Sequence, residues 1–219
     1  MNKSALLNMV PCLKDPFADP NPIPSFVTHE PVWGWHGDAP IFDELVSDTK
    51  AGIVIEVGSW LGQSAISLAS ALKRERPGDS VLICIDTWLG SFEHWIDEGL
   101  RPQLQFYKGY PTLYWRFLYN IAQAGLAEYV QPLPLTSAAS ARLLGHFNIR
   151  GDLIYIDGSH DEEDVARDLQ EYWNILNNGG VLFGDDYDFL SVASAIDKFV
   201  SKRNLCFEIQ TPFWIIRKE

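Results

Sequence analysis

Short apolar runs, three to five residues long and separated by stretches of helical period, recur from residue 53 onward and leave few folds open. The runs are Ile53 to Val57, Val81 to Ile85, Tyr129 to Leu133, Leu153 to Ile156 and Val181 to Phe183. Continuous rather than alternating hydrophobicity marks strands covered on both faces, the habit of a parallel sheet. Between the runs, Ser64 to Leu72 carries small and apolar residues at helical spacing, and Val165, Leu169, Tyr172, Trp173 and Leu176 share one helical face. That second helix is expected to end near Asn178-Gly179-Gly180, a glycine C-cap. Strand then helix, repeated, predicts right-handed crossovers and a doubly wound, Rossmann-like, mostly parallel α/β sheet. The tail, Leu205 to Ile209 and Phe213 to Arg217 about Thr211-Pro212, reads as a closing antiparallel hairpin.

Seven of the 13 prolines fall within residues 1–50, at Pro11, Pro16, Pro20, Pro22, Pro24, Pro31 and Pro40, where they forbid long helix and central strand. This Pro-rich arm also holds Phe26, Trp33, Trp35 and His36, so it is expected to pack on the body, either covering core edges or acting as a substrate lid. Residues 51–219 form the main domain. A net charge of −12 repels phosphate backbones and anionic lipid heads, which argues against nucleic acid and membrane partners and for a small-molecule or glycan one. Cys12, Cys84 and Cys206 lack paired spacing and read as free thiols of a cytoplasmic protein, and no apolar run reaches the roughly 18 residues of a membrane helix.

In such sheets ligands gather at the carboxyl ends of the strands. The first strand ends Glu56-Val57-Gly58-Ser59-Trp60-Leu61-Gly62-Gln63-Ser64 before a helix, a tight turn that suits a nucleotide or an amino-acid carboxylate. Its spacing is neither that of a dinucleotide loop nor that of a phosphate loop, which weakens an NAD-dependent oxidoreductase reading. The second strand ends Cys84-Ile85-Asp86-Thr87-Trp88, with Asp86 placed to accept ribose hydroxyls. The fourth ends Asp157-Gly158-Ser159-His160 and the fifth Asp185-Asp186, so three carboxylates are expected to converge, either sharing a proton or binding a hard cation such as Mg²⁺. Ser159 with Glu162 resembles a capping box, which would put His160 in a first helical turn, neutral and able to act as a base. His36 and His94, set among tryptophans, are candidates to line an acceptor site, whereas His29 and His146 read as surface residues. Trp33, Trp35, Trp60, Trp88 and Trp95 offer aromatic walls for a sulfonium, a flat ring or a sugar face.

From about Gly52 to Glu219 these motifs resemble class I S-adenosylmethionine-dependent methyltransferases. They are most similar to the metal-dependent O-methyltransferases of the catechol O-methyltransferase kind and of the sugar and macrolide kinds. The resemblance implies that Glu56, Gly58 and Ser64, with Ser59, Trp60 and Gly62 of the same loop, lie along the methionine part of S-adenosylmethionine. Asp86 would take the ribose, with Thr87 and Trp88 beside it and Ser137 near the adenine, while Asp157 and Gly158 would line the cofactor from the fourth strand. It further implies Asp157, Asp185 and Asp186 as Mg²⁺ ligands and Asp157 with His160 as catalytic residues. His160 stands where the catechol enzymes carry lysine, which argues against a plain catechol substrate. Metal-free N- or O-methylation and a non-catalytic cofactor-binding subunit are the alternatives, and a homo-oligomer is compatible with either.

Overall fold

The computed structural model describes residues 1–19, 23–27, 32 and 34–219, so Pro20, Pro22, His29, Pro31 and Trp33 lie outside the described residues. Two short helices occupy proline-free parts of the arm, α1 (Lys3–Met9) and α2 (Ile41–Thr49). There follow β1 (Ile53–Val57), α3 (Gln63–Glu75), β2 (Val81–Ile85), α4 (Phe92–Ile96), β3 (Phe106–Tyr107), β4 (Tyr110–Pro111), α5 (Leu113–Gln123), β5 (Val130–Leu133) and α6 (Ser137–His146). The chain closes with β6 (Gly151–Ile156), α7 (Glu162–Ile175), β7 (Leu176–Gly184), α8 (Leu190–Arg203), β8 (Phe207–Gln210) and β9 (Phe213–Arg217).

All five apolar runs become adjacent strands, in the sheet order β5-β2-β1-β6-β7-β9-β8. The strands from β5 to β7 pair in parallel; β9 runs antiparallel to β7 and β8 antiparallel to β9, so the expected closing hairpin is present. Successive residues of a strand face opposite layers. Val54 joins Phe42, Leu45, Leu68, Leu72 and Phe117 on one face, whereas Ile55 joins Leu144, Leu169, Tyr172 and Ile196 on the other. Burying each such side chain stabilises the fold by about 1.5–3 kcal/mol. Helix α2 belongs to the first layer through Phe42, Leu45 and Val46.

From β1 the chain steps outward to β2 and β5, then returns to β6 on the other side, so the topological switch point lies between β1 and β6. The ladder continues past both strand ends, with the Asp157 N–H donating to the Val57 carbonyl at 2.8 Å and the Gly58 N–H to the Ile85 carbonyl at 2.9 Å.

One boundary differs from the sequence expectation. Helix α7 stops at Ile175, and Leu176 pairs with Gly151 in the sheet. Asn178-Gly179-Gly180 is a bulge within β7 and not a helix cap: Gly179 takes φ +79° and donates its N–H to the Lys218 carbonyl at 2.7 Å. Asp152 anchors this edge, accepting from Asn177 and from the Gly52 and Ile53 N–H groups.

Candidate active site

The glycine loop is fastened from below. Glu56 is fully buried and accepts from the hydroxyls of Ser59 and Ser64, each at 2.6 Å. Burial pushes its carboxyl upward, against those two hydrogen bonds. Glu56 therefore holds the loop and the first turn of α3 in register. Trp60 adopts φ +45°, in the left-handed region. Its N–H donates to Asp86 Oδ2 at 2.9 Å, and the Trp88 N–H donates to Asp86 Oδ1 at 2.7 Å, so the half-buried Asp86 ties the β1 and β2 loops together. A carboxylate has about four acceptor sites, which leaves capacity for a ribose hydroxyl. Burial raises the Asp86 carboxyl, opposed by these N–H groups.

Trp88 is not the aromatic wall expected from its position. Its backbone takes φ +51°, and its ring packs in the core against Phe117 and Tyr114, with its indole N–H donating to the Trp60 carbonyl at 2.8 Å. Thr87 stays exposed, with Oγ1 accepting from the Leu89 N–H. The wall at this point is Trp60, half-buried and tilted on the ring of His94 at 4.4 Å between centroids. His94 stands on α4, between β2 and β3, and burial lowers its pKa. Trp35 and Trp95 are exposed.

At the carboxyl ends of β6 and β7 the three aspartates come within electrostatic range of one another. Burial, then the charges of Asp186 and Asp185, pushes the Asp157 carboxyl well above the usual range. The Tyr155 hydroxyl donates to Asp157 Oδ2 at 3.0 Å. Asp185 Oδ2 lies 2.9 Å from His36 Nδ1, and Asp186 Oδ2 lies 2.7 Å from His160 Nε2. An all-oxygen set has the chemistry for a hard cation, but the placement does not supply the ligand set expected. Among the described residues no three His, Cys, Asp or Glu side chains form a group able to hold a metal ion. Histidines and a tyrosine occupy the carboxylates instead, so as placed these residues do not fit Mg²⁺.

His160 precedes the helix rather than opening it. The N-cap of α7 is Asp161, while Ser159 Oγ accepts from the Asp161 N–H at 3.1 Å and faces Asp164. The helix thus starts two residues later than the capping-box expectation has it, and Asp161 makes no side-chain capping bond, because the Ser159 hydroxyl closes a local turn. The ring of His160 stacks on Phe189 at 4.6 Å. Its pKa is raised, not lowered, because the hydrogen bond to Asp186 outweighs burial. Glu93 of α4 adds a further raising charge. Ser137, expected near an adenine, turns its hydroxyl inward to Asp168 of α7, a buried carboxyl pushed up to about 6 chiefly by burial. Gly158 adjoins that carboxyl: a Cβ there would stand 3.9 Å from Asp168 Oδ2. His146 is exposed in the last turn of α6.

A family profile described as a methyltransferase domain matches residues 55–187, well over half of the chain. The fold is similar to that of the O-methyltransferase TomG from Streptomyces achromogenes, involved in tomaymycin synthesis and solved with SAM: 14% identity, 86% of this chain and 82% of that one, TM-score 0.59. It is also similar to the O-methyltransferase NovP, at 18% identity over 81% of this chain and 76% of that one, TM-score 0.62. An O-methyltransferase from Bacillus cereus solved in complex with SAH matches at 15% identity over 99% and 91%, TM-score 0.56. At these identities the likeness is one of fold. Comparison with curated proteins gives no match.

Proposed function

Because the chain belongs to the methyltransferase-domain family, we propose that it transfers a methyl group from S-adenosylmethionine to a hydroxyl oxygen of a small molecule or sugar. The observation that carries this reading is the His160–Asp186 pair, 2.7 Å apart at a rim that adjoins the glycine loop. A hydroxyl must lose its proton as the methyl arrives, and a subunit that only binds cofactor has no use for a base there.

S-adenosylmethionine supplies an electrophilic methyl group. Glu56, through Ser59 and Ser64, keeps the loop in the shape that receives the methionine end, and the free acceptor sites of Asp86 take ribose hydroxyls. An acceptor hydroxyl lying against His160 loses its proton to the neutral ring, and Asp186 stabilises the imidazolium that results. The acidic rim attracts a sulfonium and repels anionic acceptors. Free Cys12, Cys84 and Cys206 support a reducing, cytoplasmic setting, and no helix among the described residues is long and apolar enough to cross a membrane.

Calorimetry with S-adenosylhomocysteine and with NAD is the direct test: the first is expected to bind and the second not. In Asp86→Ala the affinity for S-adenosylhomocysteine falls about 30- to 150-fold, the loss of roughly 2–3 kcal/mol from a charge-assisted contact. Binding as tight as the parent's would remove Asp86 from the site.

A second reading adds Mg²⁺ on Asp157, Asp185 and Asp186. It is favoured by the crowding of three carboxylates at one rim, although as placed they do not fit the ion. It requires His36 and His160 to give up their aspartates. The first reading expects methyl transfer to persist in excess EDTA; loss of turnover that Mg²⁺ restores would establish the second.

A further inference from the structure

We infer that His36, carried by the N-terminal arm, is a positioning residue for His160 that acts through Asp185 and Asp186. The inference rests on the reading of His160 as the base. His36 lies 149 positions before Asp185 in sequence, yet its Nδ1 stands 2.9 Å from Asp185 Oδ2. Facing a carboxylate, that ring nitrogen is the donor. The other oxygen, Asp185 Oδ1, accepts the Asp186 N–H at 2.7 Å. Asp186 takes φ +65°, a left-handed conformation that a non-glycine residue holds only where its surroundings impose it. Its own Oδ2 reaches His160 Nε2 at 2.7 Å. The four residues form one chain of contacts: His36 fixes one oxygen of the buried Asp185, the other oxygen fixes the Asp186 backbone, and that backbone aims the carboxylate that orients His160.

The arm is held firmly enough to do this. The His36 ring meets Phe213 edge to face at 6.1 Å. The next residue, Gly37, approaches α3 so closely that a Cβ would stand 2.8 Å from Gln63 Cβ and 2.9 Å from the Ser64 nitrogen. The Gly37 carbonyl accepts from Ser67 Oγ at 2.7 Å. One short segment of the arm thereby braces both the start of α3, where Ser64 meets Glu56, and the aspartates under His160.

The test needs no acceptor. Imidazole nitrogen–proton spectra are recorded at one fixed pH on the full chain, on His36→Ala and on His36→Asn, with S-adenosylhomocysteine calorimetry in parallel. His36→Ala is expected to displace the His160 ring resonances. His36→Asn, whose amide can donate from the place of Nδ1, returns them toward the parent values. His160 resonances that stay put in the alanine variant, or that move equally in the asparagine variant, overturn the relay. Should the alanine variant fail to fold, His36→Gln replaces it, because its longer amide cannot take the Nδ1 place; the relay expects glutamine to shift His160 and asparagine not to. Failure of the parent to bind S-adenosylhomocysteine would sink the functional reading and leave the resonances to decide the relay.

Discussion

In His160→Ala, turnover is expected to fall by roughly 10²- to 10⁴-fold while affinity for S-adenosylhomocysteine stays near the parent's, because a positioned base contributes to the barrier and not to cofactor binding. The half-exposed ring pairs with Asp186 and stacks on Phe189, both beyond β7 and not on the glycine loop, so its removal is expected to leave the cofactor cradle intact. His160→Gln is expected to be about as slow, since an amide keeps a hydrogen bond but cannot carry the proton. The pH dependence follows from the direction of the shift. Asp186 raises the pKa of His160 above its ordinary 6.5, so the ring stays protonated, and unable to accept a proton, to a higher pH than a free histidine would. Activity should therefore rise with pH through a single ionisation above 6.5, and that limb should vanish in the alanine variant. The ion pair's contribution to stability has the opposite sense: it is present below the unfolded pKa and is lost as pH rises through the folded one. A bound divalent cation would move the limb below 6.5, which distinguishes the two readings from the same measurement. Most of the activity retained, with an unchanged limb, would leave His160 a surface residue before α7.

What sequence could and could not say here divides along physical lines. Strand ends were legible because burial on both faces writes a continuous apolar run, and the acid that follows each run, Asp86, Asp157 or Asp185, is then placed by topology alone. Side-chain direction after a strand was not legible. Trp88 turns inward because φ +51° rotates its Cβ into the core, and no pattern of residue types announces that rotation. Leu176 satisfied both a helical stripe and a strand pairing, and the partner that decides between them, Gly151, lies 25 positions upstream. His160 is singled out by its neighbours in sequence, but the direction of its proton affinity is not, since it lies before the helix and Asp186, 26 positions away, outweighs burial. His36 could be suspected only from its aromatic company: an irregular Pro-rich segment has no period from which to project a contact 149 positions away.

Gly58→Ala should be the most damaging single methyl group in the protein. Gly58 takes φ +90°, and a Cβ there would stand 1.8 Å from the Asp157 carbonyl oxygen and 3.0 Å from Gly158 Cα. Neither obstacle is a side chain that can swing away. Both belong to the backbone that follows β6, and the two strand ends are locked by the Asp157-to-Val57 and Gly58-to-Ile85 hydrogen bonds. Relief requires β1 and β6 to part at the switch point, which strains the loop that Glu56 holds and shifts Asp157 at the acid rim. A left-handed conformation costs an alanine about 1–2 kcal/mol and a forced overpacking about 1–3 kcal/mol more, so a loss of about 2–5 kcal/mol in unfolding free energy is expected. Gly78→Ala is the matched control: Gly78 also has positive φ, +73°, but a Cβ there meets nothing within 4 Å. Its loss should be the conformational cost alone, about 1–2 kcal/mol, with unaltered binding of S-adenosylhomocysteine. Denaturant titration of the two variants beside the parent separates the contributions. Equal losses in both would mean that the strand ends yield freely and that the close approach of Gly58 to Asp157 does not define the site, whereas a folded Gly58→Ala chain that has lost cofactor affinity would locate the cradle at this contact.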